Sequence, residues 1–389
     1  MATVTTAETR TDTYGLIHKI LARYPERFTV IREMIQNADD AKSSRVQISL
    51  THDPHAGNCV SISNNGSLFS EKDWERLTTI ASGNTSVESV GCFGVGFYSI
   101  FSLTDAPIVT SGNTSIRFYW EDKRLCYEKT VTPEKPPAPS SMATTFVCQR
   151  IPEQKTKSWD VTQLQEFLVK NLAFTRTIRE ICVVHPSLPS PVIFRKIEKG
   201  LKDTKLPDSL LHDEYIRLSP SVASTLGIEI QAEQNDSATI IGQFSIARCD
   251  YSVQCSQEFI REMNSMIQKD PPSKLSISLL FHDVTKPIGD IHPILQSLSP
   301  WNGQGKLFVG YATGQSTGAN FHVCSQFITT MEREKLDFNR PAAHHWNSLL
   351  LRCSGILSRL YYHDLTCEMM ELMNMEGTEI AGKKYIRAN

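Results

Sequence analysis

Glycines that feed straight into an aromatic, apolar stretch, Gly91-Cys92-Phe93-Gly94-Val95-Gly96-Phe97-Tyr98-Ser99-Ile100-Phe101, narrow the folds open to this chain more than any other segment. Glycines this dense weaken any regular helix or strand interior, because each gives up more backbone freedom than another residue on ordering. The residues that follow them are apolar enough to be buried. The pattern predicts a loop running into a helix that starts near Gly94 or Val95, with free backbone N–H groups able to face an anion. The spacing is G-x-x-G-x-G, so neither the G-x-G-x-x-G dinucleotide turn nor a Walker loop with its G-K-[ST] is present. Upstream, Ser82-Gly83-Asn84-Thr85 extends the loop. A glycine hinge that binds nothing is the competing reading of this segment taken alone.

Upstream of that loop, residues 14–41 carry helical periodicity in two pieces separated at Tyr24-Pro25. In the second piece Glu33, Asn37 and Asp40 fall on one stripe at i, i+4 and i+7, so two carboxylates and a carboxamide point the same way. Such a stripe is either the solvated face of an amphipathic helix or a ligand-facing one. Ala38 and Ala41 leave room for close approach. An Asn beside a carboxylate offers oxygens of the kind Mg²⁺ prefers, and a Glu near the metal can orient or deprotonate a water. A second segment, Ser61-Ile62-Ser63-Asn64-Asn65-Gly66, reads by itself as a strand ending in a turn.

Alternation predicts strands at 45–50 and 59–63, forming a hairpin, then at 106–110, 114–119 and 144–148, with a proline-rich surface loop at 133–139. A helix is expected over 159–171 and strands at 181–185 and 192–196. The polar stretch 200–213 reads as a linker. Beyond it come strands at 228–231, 242–249, 275–281 and 306–311, a helix over 256–268 and a helical pattern over 344–373. The fold class is α+β, divided as 1–200, a second α+β domain at 201–335 and a helical segment at 336–389.

The three polar segments, in this order, resemble the GHKL ATPase superfamily (gyrase, chaperone, histidine kinase, MutL), and within it the ninety-kilodalton heat-shock chaperones and sacsin-type repeats. Arg32-Glu-Met-Ile-Gln-Asn-Ala-Asp-Asp-Ala41 is similar to their first-helix motif, and Gly91 to Phe101 to their glycine signature. Ile80 to Thr85 is similar to the segment before the chaperones' ATP lid. The resemblance covers residues 14–105, fades toward 150, and is poor from 150 to 300. Gly310 to Gly318 and Phe327 to Glu334 look like the downstream part of fungal sacsin-like proteins of unassigned function. The resemblance implies a Bergerat-type α/β sandwich that binds ATP and Mg²⁺ and hydrolyses ATP slowly as a lid over residues 83–91 closes and reopens. It implies Glu33 as the general base, Asn37 as the Mg²⁺ ligand and Asp40 as a partner on the nucleotide side. Gly83 would belong to the lid. Gly91, Phe93, Gly94, Val95, Gly96 and Phe97 would line the phosphate cradle, Asn64 and Gly66 the adenine side, and Thr144 or Thr145 (the latter preferred) the late-strand threonine position. Where the family has an Asp that accepts the adenine amino group, this chain has Asn64. A carboxamide oxygen can accept that bond, without the charge that roughly doubles its strength.

The resemblance further implies a Lys or Arg from the following domain at the γ-phosphate; the candidates are Arg333, Lys335, Arg340 and Lys306, the first three in a run of alternating charge that suits a solvated face. His344-His345 reads as surface or capping. With 40 Lys+Arg against 42 Asp+Glu the net charge is −2, so no global basic field favours nucleic acid, and a gyrase- or MutL-like remodelling ATPase ranks below a chaperone-like module. Ten scattered cysteines without a C-x-x-C pair suit a reducing compartment. The N-terminus has no apolar signal region and no window suits a membrane span, so a cytoplasmic or nuclear location is expected, for a chain that could be a fragment. Protein clients or co-chaperones and a nucleotide-dependent dimer follow only from the resemblance. The alternative is a non-hydrolysing interaction scaffold on the same fold.

Overall fold

The computed structural model describes residues 12–22, 28–53, 57–79, 96–133, 142–152, 159–204, 211–235, 237–267, 269–282, 292–296, 298–301, 303–330 and 335–376. The first half contains α1 (Thr13–Leu21), α2 (Thr29–Asp40), β1 (Arg45–Asp53), β2 (Gly57–Asn64) and α3 (Glu71–Thr78). A 3-10 helix (Phe97–Ser102) follows, then β3 (Ile108–Ser111), β4 (Thr114–Glu121), β5 (Arg124–Val131), β6 (Thr144–Ile151), α4 (Val161–Phe174), β7 (Glu180–Val184) and β8 (Val192–Thr204). The second half contains β9 (Leu211–His212), β10 (Ile216–Gln234), β11 (Ser237–Cys255), α5 (Gln257–Ile267), β12 (Lys274–His282) and α6 (Pro293–Gln296). It ends with β13 (Lys306–Phe308), β14 (Ala312–Ser316), β15 (Phe321–Cys324) and α7 (Pro341–Glu376).

The chain is α+β, and its described strands form one mixed sheet in the order β14-β13-β15-β12-β11-β10-β8-β7-β1-β2-β6-β3-β4-β5, with β9 beside β10. β1 runs parallel to β7 and β13 to β15; the other neighbours are antiparallel. Alternation assigns one face of the first half to a core. Val46, Ile48 and Leu50 of β1 stand beside Asn64, Ile62 and Val60 of β2, which stand beside Thr144, Phe146 and Cys148 of β6. All of them are buried. The apolar ones among them join Ile31, Met34 and Ile35 of α2 and Leu164, Leu168 and Leu172 of α4 in one cluster.

The expected boundary near residue 200 falls inside β8, which passes through Gly200 at φ +62. β10 and β11, 19 residues each, are far longer than their sequence patterns suggest, and they carry two cores. Phe244 and Ile246 of β11 belong to the cluster of the first half. Ala247, Cys249 and Tyr251 join Phe259 of α5 and Trp346 and Cys353 of α7 in a second. Residues of opposite parity point to opposite faces, so the shared strands are packed on one side by each core.

That sharing predicts cooperative unfolding. Phe194→Ala in the first core and Phe259→Ala in the second, both fully enclosed, should each cost ~3–5 kcal/mol and lower one common urea midpoint. The check is coincidence of far-ultraviolet dichroism and tryptophan fluorescence, and two separate transitions would show that the halves unfold independently.

Candidate functional site

Ten of the twelve residues of α2 are buried, so this helix is enclosed rather than laid on the surface. Glu33 is 3% exposed, which removes the solvated-face reading for its carboxylate. A side chain at Gly96 would overlap Glu33 Oε2, so the glycine lets the last turn of its loop lie against the acid. Arg32 Nη2 stands 3.5 Å from Glu33 Oε1, both side chains being buried. Asn37, one turn further on, is exposed and makes no side-chain hydrogen bond among the described residues. Phe97 packs edge-on against Tyr98 and joins the aromatic cluster of Phe101, Phe118 and Phe146. It therefore serves the core at the base of the loop. Gly83, Gly91, Phe93, Gly94 and Val95 lie outside the described residues.

The end of β2 meets the end of α2. A Cβ on Gly66 would stand 2.7 Å from the carbonyl oxygen of Ala41, so only glycine fits this approach. Ser67 N–H donates to the same carbonyl at 2.8 Å. The buried Asn64 side chain accepts from Gly66 N–H through Oδ1 at 2.9 Å. Its amide nitrogen makes no hydrogen bond among the described residues. Register pairs Asn64 with Thr144 and Ser63 with Thr145. Thr144, bonded to Ser111 at 2.8 Å, shares the buried face of Asn64, whereas Thr145 faces the other way and bonds Ser63 at 2.9 Å. The late-strand threonine on the Asn64 side is thus Thr144, because neighbouring positions in a strand alternate faces.

Asp40 departs from the Glu33 stripe. Arg176 Nη2 donates to its Oδ1 at 2.5 Å. Asp39 beside it accepts from Arg176 N, Thr177 N, Thr177 Oγ1 and Ile178 N at 2.8–3.3 Å. Burial alone pushes the Asp39 carboxyl up, but the N–H groups of Thr177 and Arg176, the Thr177 hydroxyl and the Arg176 charge together hold it below the usual carboxylate value. Sequence reading missed Arg176 and Thr177; they lie more than 130 positions from their partner, and no local pattern marks them.

None of the basic candidates of the second half stands at Glu33 in the described structure. Arg340 is paired with Asp337, Lys335 and Lys306 are exposed, and Arg333 lies outside the described residues. The second half reaches Glu33 through an aromatic ring instead, since the Arg32 guanidinium sits over Tyr311 at 4.9 Å. His345 stands 3.4 Å from Asp213, in keeping with a surface role. Among the described residues no His, Cys, Asp and Glu group could hold a metal by itself, nine cysteines are free, and no helix is long and apolar enough to cross a membrane.

Residues 10–179 match the family model of the Sacsin domain, and residues 219–386 match that of a protein of unknown function (DUF3684). The human (Homo sapiens) protein Sacsin is 33% identical to this chain over 109 residues, 24% of this chain. The N-terminal half is sacsin-like. The match covers 2% of the length of human Sacsin, so it relates this chain to a small part of that protein. A solved structure, "Crystal Structure of N terminal domain of a DNA repair protein", aligns at 11% identity and a TM-score of 0.32, over 55% of this chain and 72% of that one.

Asp39 supplies a pH test. Its folded pKa lies below the ordinary 3.8, so its contribution to stability is fully present above pH ~4 and is lost as pH falls through the folded value. Asp39→Asn should cost ~1–3 kcal/mol at pH 7, measured by urea unfolding, and the gap to the natural protein should close in acid. A gap that persists unchanged to pH 2 would mean that the charge of Asp39 contributes nothing.

Proposed function

We propose that the sacsin-like half is an ATP-binding lobe of the heat-shock-chaperone type, built on a Bergerat-type sandwich, and that the whole chain is a chaperone-like module acting on protein clients. The observation that carries the reading is Glu33, a carboxylate enclosed by the fold with the glycine-rich segment ending against it at Gly96. A general base needs such a site: held in place, screened from bulk water, and beside backbone that can approach phosphate closely. Asn37 would hold Mg²⁺. Its exposed carboxamide offers a hard oxygen with no competing bond, one turn from Glu33, and the remaining ligands would be phosphate oxygens and water. Bound Mg²⁺ would neutralise the phosphates. Asn64, Thr144 and Gly66 would form the base side of the pocket, where the buried side chains of the first two lie in one row across β2 and β6.

One observation favours a second reading, a scaffold that keeps the fold without productive nucleotide use. Asn64 Oδ1, the atom that would accept an adenine amino group, already accepts from Gly66 N–H, and the side chain presents an uncharged amide where a carboxylate would give a stronger acceptor.

Calorimetric titration of the chain with ATP, with and without Mg²⁺, separates the two. On the leading reading binding requires Mg²⁺, Asn37→Ala weakens it at least ~10-fold, and Glu33→Ala binds ATP while phosphate release falls to background. Absence of binding to the unaltered chain would leave the scaffold. Asn64→Asp keeps the bond to Gly66 and adds charge, so it should tighten ATP by ~5–10-fold. An unchanged affinity would remove Asn64 from the base pocket.

A further inference from the structure

Between the two halves lies a cavity of about 380 Å³, on the side of α2 turned away from Glu33 and Asn37. This is within the size range of small-molecule sites and near its lower end. Its apolar wall combines Ile35 and Phe174 of the first core with Met263, Phe327 and Trp346 of the second. Its polar wall is a patch of sheet in which Arg248 pairs with Ser278 and Asp250 with Ser276.

The charges around this cavity are unequally matched. Arg176 is neutralised by Asp39 and Asp40, and Arg32 stands by Glu33 and Tyr311. Lys269, also of the lining, is buried and has a partner of its own. Arg248, half-buried, donates from Nε to Ser278 Oγ at 3.3 Å and has no carboxylate partner among the described residues. The remaining carboxylates of the lining, Asp250 and Asp270, are exposed, and Asp270 accepts from Asn264 at 2.8 Å. Two residues of the lining, Ser276 and Gln326, carry side-chain oxygens, Oγ and Oε1, that are buried without a hydrogen-bond partner among the described residues. Buried polar atoms are seldom left so unless a ligand or water completes them. Behind the wall, burial above all pushes the enclosed Lys196 down to about 7, with Arg179 and Arg248 acting in the same sense and Glu198 and Asp39 against it.

We propose that this cavity is a binding site for a small organic anion, its carboxylate or phosphate held by the Arg248 guanidinium with the Ser276 and Ser278 hydroxyls and its ring or chain enclosed by Phe174, Phe327 and Trp346. A guanidinium with adjacent hydroxyls suits the planar or tetrahedral oxygens of such a group, and the apolar wall supplies burial that an inorganic ion could not use. The site is distinct from the proposed nucleotide site and requires nothing of it.

Calorimetry on the whole chain, with benzoate and phenyl phosphate as probes and phenol and inorganic phosphate as controls, tests this. The anionic aromatic probes should bind at Kd ~0.1–1 mM, at least ~10-fold tighter than either control. Arg248→Met should weaken them at least ~10-fold, Arg248→Lys less, and Ser276→Ala several-fold, while Asn37→Ala leaves them unchanged. Ser276→Ala deletes a hydroxyl with no partner among the described residues, so it remains informative if Arg248→Met does not fold. Failure of both aromatic anions to bind, controls that bind equally well, or affinities indifferent to Arg248 and Ser276 would each overturn the proposal. Loss of ATP binding in Asn37→Ala with benzoate binding intact would separate this site from the nucleotide reading.

Discussion

Much of this structure depends on how one buried carboxylate is satisfied. Asp39, near the end of α2, takes hydrogen bonds from the backbone N–H groups of three successive residues, Arg176 to Ile178, just past α4. A desolvated carboxylate left unpaired would cost several kcal/mol, so the helix cannot rotate about its axis without losing that compensation. Because α2 is held in rotation, Glu33 is held against Gly96 on one side, and Arg32, Gln36 and Asp39 line the inter-half cavity on the other. The Asp40 bond to Arg176 acts in the same sense on a more exposed pair, whose worth is correspondingly small.

The second constraint is the length of β10 and β11. A strand of 19 residues spans ~60 Å, more than one core of this size can cover from a single side. The chain packs the two cores against opposite faces, which brings Trp346 and Phe327 of one near Ile35 and Phe174 of the other at the cavity. Arg248, Ser276 and Ser278 face the same cavity from neighbouring strands of the shared sheet. A sheet shared in this way also explains why β8 continues through residue 200: a break there would cost its pairing with β10.

The sequence made some of this legible and hid the rest for physical reasons. The paired helices before residue 41 and the hairpin of β1 and β2 follow from local periodicity, which burial on one face imposes. β5 escaped because it is an outer strand with almost no buried position, joined to β4 by Asp122 and Lys123, both at positive φ without a glycine to announce the turn. Residues 200–204 read as the start of a linker because outward residues of a long strand are polar too, while 205–210 lie outside the described residues. At the site, the spacing of Glu33, Asn37 and Asp40 placed three groups on one stripe, yet a helix enclosed on both sides sorts them by what it packs against: Glu33 to the glycine segment, Asn37 to solvent, Asp40 to Arg176. Thr144 could not be told from Thr145 until pairing with Asn64 fixed the face, since a register shift of one residue exchanges them.

The single turn of α2 between Arg32 and Gln36 then acquires a meaning that neither half shows alone. Arg32 stacks on Tyr311, which follows β13 in the second half, and stands 3.5 Å from Glu33 in the first. The guanidinium is thus shared between a buried ring of the second half and a buried carboxylate of the first, at the border of the inter-half cavity. A shift of Tyr311 that carried Arg32 with it would change the field at Glu33, and a change in the charge at Glu33 would alter how tightly Arg32 is held over the ring. Such coupling is reciprocal by thermodynamic necessity, and its size is set by the difference in Arg32 contacts between the two arrangements. The basic residues that the sequence offered for the γ-phosphate stand elsewhere or lie outside the described residues, and within the described structure a physical link from the second half toward Glu33 is this stacked arginine, one residue before the acid it adjoins.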